Sequence, residues 1–134
     1  MKTKLKTESK FIVKPEEKVV VCVMNADIQL LKFDSWDMIK ISDWKAKAPM
    51  VNNSCGMFTV TAKAKCATDD KFDEVIGKRI AESRAKSKAF RIAKNVWSCI
   101  AEKLLNEYNI SMEMCKNCEA MEKIETNHAK ELSK

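Results

Sequence analysis

Residues 56–66 constrain the fold more than any other part of this chain. Phe58, Val60, Ala62, Ala64 and Cys66 alternate with Thr59, Thr61, Lys63 and Lys65. Successive side chains of a strand point to opposite faces, so this order makes one apolar face and one wet face. Such a strand needs neighbours to pair with and an apolar layer to lie on. Residues 18–28, rich in valine, predict the main neighbour. Their unbroken apolar character suits burial on both faces or a central place in a sheet. Phe11-Ile12-Val13 predicts a short further strand stopped by Pro15. Residues 1–9 read as a flexible basic arm, and the strands as lying within residues 10–66.

Residues 32–47 fit two patterns. Ser35 would cap a short helix carrying Trp36, Ile39 and Trp44. Strand alternation also fits in part, and a strand or hairpin is preferred. Asn52-Asn53-Ser54 marks a loop between Pro49 and Gly56.

After the strands the period changes to that of a helix. Asp69, Asp70, Asp73 and Glu74 suit a helix N-terminus, where unpaired amides and the macrodipole favour negative charge. The periodicity predicts a helix over 73–108 and a shorter C-terminal helix over 111–132. The first would be roughly 54 Å long at 1.5 Å per residue. A compact domain of this size has a radius of gyration of about 14 Å. An overhang, kink or break near Asn95 is therefore expected. With a turn of 100° per residue, Ala81, Ala85, Ala89, Ile92, Ala93, Val96 and Ile100 share one face, the expected core stripe. Its alanines permit close approach to a sheet. Arg84, Lys88 and Arg91 follow one another on what is expected to be the far side, with Lys94 nearby. Between the two lie Arg79, Lys86, Phe90 and Trp97. The apolar residues from Val96 to Tyr108 call for a cover, either the C-terminal helix or a second subunit.

Charge is concentrated on this helix. The chain carries +6 overall, and residues 78–94 hold seven cations against one acid, Glu82. The rest of the chain is therefore neutral. An ordinary surface helix intersperses glutamate at i, i+4 positions. A local surplus like this one suits phosphate or another anionic surface. Lysines near Trp36 and Trp44 (Lys40, Lys45 and Lys47) offer a lesser stacking combination, against which core packing of the tryptophans is the commoner use.

Other chemistry is poorly supported. Two glycines, Gly56 and Gly77, are too few for a Walker loop or a dinucleotide fingerprint. No apolar run approaches the roughly 20 residues needed to cross a bilayer. No apolar signal core follows the basic N-terminus. A cytoplasmic protein with reduced thiols is expected, with Cys22, Cys66 and Cys99 in the core. Cys115 and Cys118 form a CxxC without a second pair, and His128 is the single histidine. Zinc needs four ligands, so this pair reads as part of a helix face. No metal, cofactor or catalytic set is expected.

Within residues 62–93, the run from Ala62 through Asp70, then Ile76-Gly77 and Arg84-Ala85, resembles small phage and mobile-element proteins. It also resembles a bacterial double-stranded-RNA-binding-like domain of unknown function. In that domain a strand ends in a polar turn with an aspartate, and an Ile-Gly and an Arg-Ala open a long helix. The resemblance covers about a quarter of the chain. The present sequence differs from double-stranded-RNA binders in its acidic helix start and in beginning with strands.

The expectation is one α+β domain over 1–134. It has an antiparallel sheet of three or four strands packed on one long helix, plus a shorter C-terminal helix. A non-enzymatic accessory protein is expected, binding nucleic acid or a nucleoprotein through Arg79, Arg84, Lys86, Lys88, Arg91 and Lys94. The alternative is a protein-directed inhibitor of a host defence nuclease, comparable to an anti-CRISPR, whose basic helix docks on an acidic patch. A homodimer through residues 96–108 is a further expected partner.

Overall fold

The computed structural model describes residues 2–30, 48–52, 55–67 and 69–134. The expectations for residues 32–47, Trp36 and Trp44 among them, lie outside the described residues. The order of elements is β1 (Lys6–Lys14), a 3-10 turn (Pro15–Glu17), β2 (Val19–Asp27), β3 (Met57–Lys65) and α1 (Glu74–Leu132). The protein is thus α+β, with a three-stranded antiparallel sheet and one long helix among the described residues. The chain divides into two units, one ending at Cys99 and one beginning at Ile100.

The sheet order is β1-β2-β3. β2 takes the centre, as its apolar run predicts. Val20, Cys22 and Met24 are completely buried, while Val21 and Val23 on the opposite face are half-buried. Central strands give both faces and both edges to the protein, which favours continuous apolar sequence. β3 alternates as read: Phe58, Val60, Ala62 and Ala64 are buried and the residues between them exposed.

β1 is longer than Phe11-Ile12-Val13. It begins at Lys6, so part of the segment expected to be an arm is strand, and it pairs from Lys6↔Asp27 to Lys14↔Val19. Of residues 6–10 only Thr7 favours a strand; lysine, glutamate and serine have little strand preference of their own. They are extended here because β2 supplies a continuous row of backbone partners. Pro15 begins the reversal, and Lys18 closes it with a left-handed φ of 55° and an N–H donated to Pro15 O at 3.1 Å.

Asp73 starts the helix. Its Oδ1 accepts from the N–H groups of Val75 at 3.0 Å and Ile76 at 3.2 Å, satisfying two of the orphan donors of a first turn. The helix then continues without interruption to Leu132. The separate helix expected over 111–132 is the far part of α1, and there is no break at Asn95. Ala81, Ala85, Ala89, Ala93, Val96 and Ile100 are buried, and Ile92 is half-buried beside them. From Leu105 to Lys134 all residues are exposed.

Close approach of α1 to the sheet is required at Gly77. A Cβ there would meet Val20 Cγ2 at 2.8 Å. Val20 cannot give way easily: it is fully buried, and a β-branched side chain is stiff about χ1. Helix propensity alone favours Gly77→Ala by about 1 kcal/mol. Overpacking costs about 1–3 kcal/mol. Gly77→Ala is therefore expected to destabilise the protein by about 1 kcal/mol in urea unfolding. A gain in stability would show that helix and sheet are not this close.

Candidate nucleic-acid interface

The seven cations of residues 78–94 divide into three groups once the helix rests on the sheet. Arg84 and Lys88 do not stand on the far side as their spacing suggested. They flank the alanine stripe on the side of β3. Arg84 Nη1 donates to Lys63 O at 2.9 Å, and Lys88 Nζ donates to Thr61 O at 2.7 Å. Among the described residues β3 is an edge strand, and these carbonyls are on the side away from β2. A bare edge invites pairing with another chain, and cations placed along it are a common protection. The side chains reach there because the alanine stripe sets α1 close to the sheet and a long lysine or arginine stem extends from the helix flank to the strand edge. Neither cation is neutralised by a carboxylate among the described residues. Both keep their charge while their heads are held in place.

Lys78 and Lys86 form the second group. Each pairs with the glutamate one turn before it, Lys78 with Glu74 at 3.2 Å and Lys86 with Glu82 at 3.3 Å. Such exposed pairs are weak, a few tenths of a kcal/mol, and yield to a competing anion. Lys78 also lies 5.8 Å from the ring centre of Phe11 on β1. The flank of α1 that carries Lys78 therefore lies on the β1 side, opposite Arg84 and Lys88.

Arg79, Arg91 and Lys94 make the third group. They are exposed and, among the described residues, have no ion pair or hydrogen bond. These are the cations most available to an outside anion. Of the six residues singled out from sequence, three are thus unengaged, one is loosely paired and two also serve the sheet edge.

The structure adds Lys2 and Lys4, which belong by sequence to the flexible basic arm expected over residues 1–9. Here the arm is tied down: Gln29 Nε2 donates to Lys4 O at 2.6 Å, and Lys4 takes a left-handed φ of 56°. Residues 2–4 thereby lie against the face of α1 that carries Phe90, Ala93, Lys94 and Trp97. Together they line an open cavity of about 410 Å³. Among the described residues its walls hold three lysines (Lys2, Lys4 and Lys94), two aromatic rings and no carboxylate. The spacing i, i+3, i+4, i+7 marks the helical part of this wall in the sequence. Nothing local announces that the N-terminal lysines join it.

Cys22 and Cys99 are buried, Cys66 is half-buried at the end of β3, and Cys115 and Cys118 are exposed. Burial raises the Cys22 thiol above its ordinary pKa, against a smaller opposing effect of the Ser9 hydrogen bond. Cys22 is thus a packing residue rather than a nucleophile. Among the described residues no three His, Cys, Asp or Glu side chains are grouped to hold a metal ion. Nor is any described helix long and apolar enough to cross a membrane. Asp73 caps α1, as the acidic run predicts.

No known protein family, curated protein sequence or solved structure matches this chain. Function has to be read from its own geometry.

Proposed function

We propose that this is a non-enzymatic nucleic-acid-binding protein, acting alone or on a nucleoprotein, whose basic helix segment contacts the phosphate backbone. The observation that carries this reading is the set Arg79, Arg91 and Lys94: exposed cations on one helix with no intramolecular partner among the described residues. Lys86 is available at small cost, because its bond to Glu82 is an exposed i, i+4 pair. Arg84 and Lys88 contribute field and, at the rim of β3, directed charge. Backbone contacts of this sort fix position without reading sequence, so affinity that varies little with base order is expected.

The test is a salt titration of a labelled oligonucleotide by fluorescence polarisation. About four neutralised phosphates give a log–log slope of roughly −3 on a single strand and −3 to −4 on duplex. A slope near zero, or no binding at low salt, discards the reading.

A second reading, a protein-directed inhibitor of a host defence nuclease, has one observation in its favour. Leu105, Tyr108, Ile110, Met114, Met121 and Ile124 are exposed large apolar side chains in the second unit. Phosphate has no use for these, whereas a protein partner does. A host protein retained after nuclease treatment of the lysate, with no oligonucleotide binding by the pure protein, would favour the inhibitor.

A further inference from the structure

We propose that the cavity between residues 2–4 and the Phe90–Trp97 face of α1 receives an unpaired nucleobase, so that the protein's preferred ligand is single-stranded. This rests on the nucleic-acid reading and adds which form of nucleic acid is bound, and where.

The cavity combines two kinds of wall. Phe90 and Trp97 present ring surface, and Phe90 is 44% exposed, so its ring is on offer to a ligand. Lys2, Lys4 and Lys94 stand around the rings. A cavity with three ammonium groups and, among the described residues, no carboxylate repels cations and recruits anions. Its aromatic surface favours a flat, polarisable group over a bare inorganic anion. A nucleotide has both parts: a planar base and a phosphate on either side. A volume of about 410 Å³ is at the small end of the roughly 300–1,000 Å³ typical of small-ligand pockets. It has room for a base. In a duplex the base faces are covered by their neighbours, so only an unpaired nucleotide can use Phe90 and Trp97.

The flank continues in the direction a strand would take. Lys86 precedes Phe90 by one turn, and Arg79 lies a further two turns back. With Lys94 in the cavity wall, these cations form a track along one side of α1. A backbone leaving the cavity would follow it. This is the general design of single-strand binders, in which a cationic groove holds the backbone and aromatic rings stack bases regardless of identity.

Three labelled ligands of equal length separate the possibilities by polarisation at low salt: oligo-dT, an abasic oligomer with the same phosphates, and a duplex. Oligo-dT is expected to bind about 10- to 100-fold more tightly than the abasic oligomer. Phe90→Ala should remove most of that ratio while leaving abasic affinity unchanged, and Phe90→Tyr should retain it. Thermal melts of both variants control for folding. Equal affinity for oligo-dT and the abasic oligomer, or a ratio that survives Phe90→Ala, overturns the base site but leaves phosphate binding intact. Tighter binding of duplex does the same. Binding of none of the three, or of a glutamate-rich aromatic peptide in their place, overturns both the base site and the nucleic-acid reading.

Discussion

Replacing Arg79, Arg91 and Lys94 together by glutamate is expected to lower oligonucleotide affinity by about a hundredfold or more at low salt, and to flatten the salt slope by about 2 on a single strand. Each substitution removes a cation and installs an anion beside the phosphates. The effect is therefore larger than loss of contact alone. Stability should hardly change, because these side chains are exposed and have no ion pair or hydrogen bond among the described residues. That separation makes them a better test than Arg84 and Lys88. Those two also occupy the carbonyls of Lys63 and Thr61, so their loss would alter the exposed edge of the sheet along with the charge. A triple variant that folds normally and binds as the parent does would end the proposal of phosphate contact through this helix.

The largest effect on stability is expected at Met24. Its side chain is completely buried at the middle of β2, opposite Ser9 on β1 and Val60 on β3. Met24→Ala removes buried methylene and sulfur contacts and leaves a void, at a cost of about 2–5 kcal/mol. At the usual entropy of unfolding this lowers the melting temperature by roughly 10 °C. Near-UV circular dichroism during urea unfolding would report it. Met121→Ala is the control. Met121 is 52% exposed in the second unit, and a change within about 0.5 kcal/mol is expected. Equal effects at the two positions would mean that β2 is not the centre of the core.

Several parts of the structure were readable residue by residue. The alternation from Phe58 to Ala64 names its own buried face, because a strand leaves no choice about which side chains share a side. The spacing of Ala81, Ala85, Ala89 and Ala93 does the same for the helix. Asp73 is a local cap: its oxygen reaches amides two and three residues on, whatever the rest of the chain does. Residues 6–10 were not readable as strand. Their extension comes from pairing with β2, which no pattern within Lys-Thr-Glu-Ser-Lys reveals.

The candidate site was legible by half. Charge density and the Phe90–Trp97 spacing are properties of the linear chain. Which cations remain free is not. Arg84, Lys88 and Arg91 look equivalent on a helical projection, yet two of them have β3 carbonyls within reach and the third does not. Lys2 and Lys4 join the site through Gln29, a glutamine 25 residues from Lys4 in sequence.

Interactions of short range, namely the period of a strand or a helix and the first-turn cap, follow from neighbouring residues and are written in their order. The length of β1, the engagement of Arg84 and Lys88, and the lining of the cavity by the N-terminus depend on groups far apart in the chain. Their backbone partners carry no side-chain signature, so only packing brings them together and assigns their roles.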